Sequence, residues 1–394
     1  MRRLLFTLFS AFILLSGCVV AGPRTTAPPE RREGAPSIPP QGAGPNLSAS
    51  VPAPWGPLAG RLVASGLPRD KVVGFFRSPD LVFSASPMET KLRELFGILF
   101  RSDLTKAVQE DLWRLGYDVS IDGRMGSVTR TAIRAFQRDN GLPQDGRPTD
   151  ALAKRLKALT IAREVRDLSQ YKPPPSAPPS RSATHRQFTN DRAIGEIRSY
   201  YLADLPIFQS MEARYGVPGP LVASIMWIET GYGRFFGKSK AAYSLASMAA
   251  SADYGLVAPR LGDIDAGAQE RAFLVDYASQ RGDWAFGELR DLLIYAWDNR
   301  LDPASFPGSI YGAIGYGQFM PSNIKKFAVD GDGDGRVDLF NKADAVFSVA
   351  NYLSKSGWRG EMPDEESRRK VIMLYNRSGI YVNTVLYVAQ KLSY

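Results

Sequence analysis

The chain has 394 residues, of which 44% are hydrophobic and 23% are charged, and its formal net charge is +9. This length fits two domains, or one large domain with an appendage, and this composition is that of a globular protein with a sizeable core. Its single cysteine excludes an intrachain disulfide and a multi-cysteine metal site, and its single histidine argues against a nucleophile–histidine pair. The positive charge favours an anionic partner surface.

Residues 1–17 have the pattern of an export signal, because two arginines precede an apolar run that is too short to cross a bilayer comfortably. The following Leu15-Ser16-Gly17-Cys18 resembles the bacterial lipobox. This resemblance implies cleavage before Cys18, acylation of that cysteine and attachment to a membrane. With Val19 next, it implies an outer-membrane lipoprotein that faces the periplasm of a Gram-negative bacterium. An ordinary secretory signal that happens to contain a cysteine is the alternative.

Two segments are predicted to be linkers from their composition. Residues 18–54 are rich in Pro, Gly, Ala and Ser and are predicted to form a disordered tether. Residues 161–183 contain KPPPSAPPS and are predicted to be a semi-rigid linker. Between them, residues 55–100 carry apolar side chains at helical spacing and are predicted to be helical.

Residues 101–160 predict three short helices joined by two Asp-Gly-Arg loops. The helices are expected at about 104–116, 129–141, with Thr129 as cap, and 149–159. The run DGRMGSVTRTAIRAFQRDNGL is similar to the pattern of the small three-helix peptidoglycan-binding domain. This similarity implies a module that binds the cell wall and does not cut it. A generic helical spacer is the alternative.

The segment Tyr215 to Gly233, YGVPGPLVASIMWIETGYG, predicts a buried helix with one acid in its last turn. Its prolines suit the first helical turn, and its apolar residues surround the helix nearly completely. Burial and the negative end of the helix dipole both oppose ionisation of Glu229, so its pKa should rise toward neutrality. An acid that keeps its proton near neutral pH can protonate a glycosidic oxygen. A surface glutamate or a hydrogen-bonded anchor is the alternative.

A second run, GSIYGAIGYGQFMPS from Gly308 to Ser322, combines glycines with aromatic rings and an amide. Proteins bind sugars with such groups, since rings stack on sugar faces and amides hydrogen-bond to hydroxyls. A Gly-rich packing corner is the alternative.

The runs IETGYG, GAIGYGQFMPS, NYLSKSGW and LYNRSGIY occur in the order found in the membrane-bound lytic transglycosylase B family, which residues 184–394 resemble. The resemblance implies a mainly α protein with a lysozyme-like helical catalytic domain at 184–394 and the small three-helix binding domain. It implies that Glu229 is the catalytic acid and base. The positions that would line the glycan groove are Ser309, Tyr316, Gln318, Tyr375, Asn376 and Tyr381.

This resemblance implies non-hydrolytic cleavage of the β-1,4 bond between N-acetylmuramic acid and N-acetylglucosamine, with 1,6-anhydro-muramyl ends as products. Most glycosidases need two carboxylates, whereas here the muramyl 6-hydroxyl attacks and one carboxylate suffices. The expected partners are peptidoglycan glycan strands and a membrane, with no nucleic acid, no organic cofactor and a monomeric state. The alternatives are a hydrolytic muramidase and a non-catalytic lipoprotein that anchors peptidoglycan.

Residues 330–344, DGDGDGRVDLFNKAD, resemble a calcium loop in which the usual final glutamate is missing. Closely spaced aspartates would repel one another without a cation, so we predict a structural Ca²⁺, with Na⁺ as the alternative ion and a solvated turn as the alternative without any ion. In the transglycosylase family a later aspartate closes the loop. The predicted ligands are Asp330, Asp332, Asp334, the Arg336 carbonyl and Asp344.

Residues 55–100 also resemble an N-terminal helical part of the same catalytic family. The binding module at 101–160 would then be an insertion between two parts of one domain.

Overall fold

The computed structural model describes residues 38–100, 102–173, 183–262, 264 and 266–393, without the side chain of Ile98. The predicted export signal and the lipidation site, Cys18, lie outside these ranges. Within them, no helix combines the length and the apolarity that a bilayer crossing requires.

The described chain is mainly helical, so the predicted fold class is confirmed. Its β structure consists of the antiparallel pair β1 (Ser239–Lys240) and β2 (Pro307–Gly308) and two isolated bridges. The helices are α1 (Gly56–Ala64), α2 (Arg69–Phe76), α3 (Ser86–Phe100), α4 (Ser102–Arg114), α5 (Ser127–Asp139), α6 (Asp150–Ala162), α7 (Arg186–Thr189), α8 (Asp191–Ala203), α9 (Leu205–Tyr215), α10 (Gly219–Thr230), α11 (Ala241–Ala250), α12 (Ala268–Asp298), α13 (Pro321–Phe327), α14 (Lys342–Lys355), α15 (Glu365–Tyr375) and α16 (Gly379–Leu392).

The chain forms two compact units, and neither is continuous in sequence. The first contains the described residues of 1–87, 179–256 and 279–394, and the second contains those of 88–178 and 257–278. The N-terminal helices α1 and α2 therefore share a unit with α10, which carries the predicted acid. If the binding module is inserted into the catalytic domain, the segments before and after it must lie in one unit, as α2 and α10 do.

The second unit is larger than the predicted binding module. Residues 88–100 and 257–278 belong to it, although the sequence analysis joined both segments to the catalytic motifs. Aromatic and ionic contacts explain the difference. The rings of Phe100 and Phe273 lie 5.3 Å apart edge to face, and the Arg260 Nε donates to the Glu89 carboxylate at 3.0 Å.

The tether predicted at 18–54 is wrong for its described part, residues 38–54, which pack on the first unit. Leu47 is fully buried. A Cβ placed on Gly44 would lie 2.1 Å from the carbonyl oxygen of Gly60, so the two backbones are in close contact. The glycines of this segment therefore permit close packing, which composition alone does not distinguish from disorder.

The linker predicted at 161–183 is also wrong in its first half, because α6 extends into it and the chain then folds back on the second unit. The ring of Tyr171 packs edge to face on that of Trp113, with centroids 5.4 Å apart. Its Pro-rich residues 174–182 lie outside the described ranges.

Helices α4, α5 and α6 enclose the apolar core of the second unit. Its buried members are Val108, Leu112, Val119, Ala132, Ile133, Phe136, Leu152 and Leu156. Thr129 does not cap α5 as predicted. It lies inside the first turn, where its hydroxyl donates to the Arg124 carbonyl at 3.1 Å.

Helix α10 lies in the core of the first unit, as its sequence predicts. Pro220 lies in its first turn, and Gly231 ends it in the left-handed conformation with φ 60°. Its residues from Leu221 to Thr230 are all buried, and α16 packs along it. This packing places the one acid of the helix inside the protein.

Candidate active site

Glu229 lies on the last turn of α10 and is only 8% exposed. Its Oε1 accepts a hydrogen bond from the hydroxyl of Tyr381 on α16 at 2.8 Å. The predicted burial of this acid is confirmed. The side chain contacts a tyrosine that the family resemblance assigned to the same site.

Burial raises the pKa of Glu229 from its ordinary 4.5 to about 7, because the carboxylate loses solvation by water. The hydrogen bond from Tyr381 favours the carboxylate and lowers this pKa by a smaller amount. Among the described residues, no second carboxylate contributes to the shift. Near neutral pH the side chain is thus poised to donate a proton and to take one back.

Two tyrosines lie near Glu229, the buried Tyr381 and the half-buried Tyr375. Burial raises the pKa of the Tyr375 and Tyr381 hydroxyls, and the nearby Glu229 carboxylate raises both further. Both hydroxyls therefore stay protonated and act as donors. Tyr381 donates to Glu229, and Tyr375 donates to the Gly317 carbonyl at 2.5 Å. The second bond ties the Gly-rich run to the end of α15.

Tyr316 is held against the turn that follows α10. Its ring packs edge to face on Phe236, with centroids 5.1 Å apart. The Thr230 hydroxyl lies 3.1 Å from the carbonyls of both Met226 and Tyr316 and accepts from the Gly233 amide at 3.0 Å. The residue next to the acid therefore fixes the backbone of Tyr316.

Replacement of Gly233 by alanine is expected to destabilise the protein by about 3 kcal/mol. Gly233 has φ +85°, and a Cβ there would lie 2.3 Å from the Tyr316 ring. Gly333 is a matched control, since it has φ +82° and no heavy atom within 4 Å of its Cβ position. Gly333→Ala should cost only backbone strain, about 1 kcal/mol. Urea unfolding compares the two variants, and equal losses would show that the Tyr316 contact contributes nothing.

Gln318 and Ser309 both stabilise turns of the Gly-rich run. Gln318 adopts φ +48°, and its Nε2 donates to the Gly315 carbonyl at 3.1 Å. The Ser309 hydroxyl oxygen accepts from the amides of Tyr311 and Ala313 at 3.2 and 3.0 Å. No described hydrogen bond joins either side chain to Glu229, so their contact with sugar stays a prediction.

Asn376 follows Tyr375 at the end of α15. Its Oδ1 is buried and has no hydrogen-bond partner among the described residues. A buried acceptor without a partner costs about 1–3 kcal/mol. Such an atom is suited to accept from a ligand hydroxyl or amide.

A hydrogen-bonded network that was not predicted from the sequence joins the turn after α10 to α14. The Asp204 carboxylate accepts from the Tyr232 hydroxyl at 2.9 Å and from the Lys342 Nζ at 2.8 Å. Tyr232 also has φ +61°, which is unusual for a non-glycine residue. Tyr232 and Lys342 lie in two separate motifs and Asp204 in neither, and no local spacing relates the three residues.

Three of the predicted metal ligands meet in space. Carboxylate oxygens of Asp330, Asp332 and Asp344 lie within 4.8 Å of one another. Asp334 is not part of this cluster, and its Oδ1 accepts from the Arg336 amide at 2.8 Å.

The loop that carries these aspartates is connected to the Gly-rich run. The Leu339 carbonyl accepts from the Tyr316 amide at 3.1 Å. A Cβ placed on Gly315 would lie 2.5 Å from the same carbonyl oxygen. The conformation of the loop therefore bears on the position of Tyr316.

Two family models match the chain. The model described as a transglycosylase SLT domain matches residues 129–368, and the one described as a putative peptidoglycan-binding domain matches residues 101–156. The first match covers more than half of the chain.

Similar individual proteins are known. The membrane-bound lytic murein transglycosylase B of Escherichia coli (strain K12) is 38% identical over 144 residues, which are 36% of this chain and 33% of that protein. The match thus spans about a third of that relative. The soluble lytic transglycosylase SltB1 from Pseudomonas aeruginosa aligns with a TM-score of 0.43 and 22% identity over 67% of this chain and 98% of its own. The Escherichia coli lytic transglycosylase Slt35 in complex with calcium aligns with a TM-score of 0.44 and 20% identity over 67% and 92%.

Proposed function

Because this chain belongs to the transglycosylase SLT domain family, we propose that it cleaves the β-1,4 bond between N-acetylmuramic acid and N-acetylglucosamine in peptidoglycan, without water. The observation that carries this proposal is the buried Glu229, whose pKa of about 7 suits both halves of an acid–base cycle.

In the first step Glu229 gives its proton to the glycosidic oxygen while the bond from that oxygen to C1 breaks. The resulting carboxylate keeps its hydrogen bond from Tyr381. It then takes the proton of the muramyl 6-hydroxyl, whose oxygen forms the new bond to C1. The proton count on Glu229 is restored, no water is consumed, and the product ends in a 1,6-anhydro ring.

One carboxylate is enough for this cycle, whereas a hydrolase of the usual kind needs two. The shift in the pKa of Glu229 fits this, since no other described carboxylate contributes to it. We assign the binding of sugar to the predicted groove residues. Asn376 has the clearest support, because its Oδ1 has no partner within the described chain.

Digestion of purified sacculi, followed by mass spectrometry of the soluble products, tests the proposal. Transglycosylation gives muramyl ends that are one water lighter than reducing ends. Reducing ends would identify the hydrolytic muramidase instead. Binding to sacculi without any soluble product would identify the non-catalytic anchoring protein.

We also propose that residues 330–344 bind Ca²⁺, with Na⁺ as a weaker alternative. Three neighbouring carboxylates supply the oxygen ligands that a hard cation prefers. Without the ion their negative charges repel. The role would be structural, because the loop holds the backbone of Tyr316 through the Leu339 carbonyl.

Calcium is expected to stabilise the protein by about 3 kcal/mol at a hundredfold excess over its Kd. The midpoint temperature of thermal unfolding should therefore rise when Ca²⁺ is added and fall back to its original value when a chelator is added. Asp344→Asn should abolish this response, because Asp344 belongs to the cluster. Asp334→Asn should keep it, because Asp334 lies outside the cluster. An equal response in both variants would contradict the assigned ligands.

We propose attachment of the protein to the outer membrane through a lipid on Cys18, with the folded part in the periplasm. The support is the basic and apolar sequence before Cys18. Membrane fractionation of Cys18→Ser tests this proposal. The variant lacks the thiol that would carry the lipid, so it should move from the membrane fraction to the soluble fraction. One protomer carries every residue assigned to the chemistry, so we propose a monomer.

A further inference from the structure

The second unit contains a cavity of about 610 Å³. Ligand sites in proteins typically enclose roughly 300–1,000 Å³. Its walls come from α3, from the starts of α4, α5 and α6, from the loops that precede α5 and α6, and from Ile264. The lining side chains used below are Arg93, Phe96, Met125, Arg130 and Arg147. Two of them, Arg93 and Phe96, lie outside the segment that matches the peptidoglycan-binding model.

The second Asp-Gly-Arg loop is fixed to α5 by a buried glutamine. The Gln137 Oε1 accepts from the Gly146 amide at 2.9 Å, and its Nε2 donates to the Asp145 carboxylate at 2.6 Å. The same Asp145 oxygen accepts from the Arg147 amide at 2.9 Å. The loop is thus held in one conformation, and it presents Arg147 at the cavity.

The first Asp-Gly-Arg loop is held in the same way. The Gln109 Oε1 accepts from the Gly123 amide at 2.8 Å, and its Nε2 donates to Asp122 at 2.9 Å. This loop leads to Met125, which lines the cavity. Two rigid loops therefore shape the cavity, as a specific ligand site requires.

Three arginines, Arg93, Arg130 and Arg147, line the cavity. Of these, Arg93 is already paired, because its Nε donates to the Glu89 carboxylate at 3.0 Å. The exposed Arg130 side chain has no hydrogen bond or ion pair with any described residue. Two acids, Asp145 and Asp150, also line the cavity, and the Asp145 carboxylate is engaged in holding the loop. The cavity can therefore offer Arg130 to an anionic ligand.

The chemistry of the lining favours a carboxylate-bearing peptide over a sugar. Guanidinium groups bind carboxylates through paired, charge-assisted hydrogen bonds. Sugar faces stack on exposed rings, but Phe96 is the one aromatic residue of the lining and is only 5% exposed. Resting on the proposed function, we propose that this cavity binds the carboxylates of the peptidoglycan stem peptide, while the glycan enters the site at Glu229.

Sedimentation binding of the full-length Glu229→Gln protein tests this proposal, since that background prevents digestion. The probes are intact sacculi and sacculi whose stem peptides an amidase has removed. Adding Arg130→Glu should weaken binding to intact sacculi about 10-fold or more, because a charge-assisted bond is replaced by repulsion. It should leave binding to the peptide-free glycan unchanged.

Arg155→Glu is the matched control, because Arg155 is an exposed arginine on α6 that does not line the cavity. It should bind intact sacculi as the parent does. Glutamate near the start of α5 suits the helix dipole, so Arg130→Glu should fold, and circular dichroism checks this. Unchanged binding by folded Arg130→Glu, an equal loss from Arg155→Glu, or an equal loss on peptide-free glycan would each overturn the proposal.

These outcomes are separate from failure of the proposed function. If that function is wrong, the active protein forms no anhydro ends, but the difference between Arg130→Glu and Arg155→Glu can still be measured without turnover. If only the peptide site is wrong, anhydro ends form and Arg130→Glu binds like its parent.

Discussion

Glu229→Gln is expected to lower the rate of sacculus digestion by about 10³-fold or more, because the loss of a general acid and base removes both proton transfers. Glutamine has nearly the same shape and can still accept the hydrogen bond from Tyr381. It cannot give or take a proton. The rate is measured as anhydro-ended fragments released per minute.

A second buried glutamate provides the control. Glu288 on α12 is 6% exposed, and burial raises its pKa as well. It accepts from the amide and the hydroxyl of Ser322 at 2.9 and 2.8 Å, so its role is to hold the start of α13. Glu288→Gln should therefore retain most activity. Turnover in Glu229→Gln, or an equal loss in Glu288→Gln, would disprove the assignment of the acid.

The second large effect is a pH dependence of the free energy of unfolding that arises from the ionisation of Glu229. Its pKa is about 7 when folded and 4.5 ordinarily. The stability linked to its proton is fully present below pH 4.5 and is lost as the pH rises through about 7. The shift corresponds to about 3 kcal/mol. Glu229→Gln has no charge to bury, so it should be more stable than the parent protein by up to that amount at pH 8.5.

Urea unfolding of the parent and of Glu229→Gln at pH 4 and pH 8.5 measures this difference. Glu288 and other groups also titrate, but they do so in both proteins and cancel. If the free energies of unfolding of the two proteins differ by the same amount at both pH values, the pKa of Glu229 is not shifted in the folded protein.

The rate of glycan cleavage should depend on the same ionisation of Glu229. Above pH 7, kcat/KM is expected to fall about tenfold per pH unit, because the free protein must start protonated. Tyr381→Phe is the informative companion, since it removes the hydrogen bond that lowers the pKa of Glu229. In this variant, the fall of kcat/KM at alkaline pH should begin at a higher pH than in the parent protein.

The helix that carries the acid could be predicted from sequence because its determinants are local. Pro220, the apolar residues that follow it and Gly231 specify a buried helix with fixed ends. The burial of Glu229 follows directly. The same reasoning cannot locate a partner 152 positions away. The family resemblance placed Tyr381 in the glycan groove, but its hydrogen bond to Glu229 was not predicted.

The linkers and unit boundaries could not be predicted because they depend on distant contacts. Composition does not reveal that Leu47 is buried or that Tyr171 packs on Trp113. Residues 257–278 join the second unit through pairs such as Phe100 and Phe273, whose spacing in sequence gives no signal.

The detailed contacts of the candidate site could not be predicted from the sequence for the same reason. Loop-position counting gave Asp330, Asp332 and Asp334, and the family resemblance added Asp344. Of these four, Asp330, Asp332 and Asp344 meet in space. The Ser309 hydroxyl accepts from its own loop.

The most direct test is a titration of the Glu229 carboxyl carbon by NMR, in protein labelled with ¹³C at glutamate carboxyl groups. Glu229→Gln identifies the resonance by its absence. A midpoint near pH 7 is predicted for the free protein, whereas a midpoint near 4.5 would contradict the claim that this buried acid keeps its proton for the glycosidic bond.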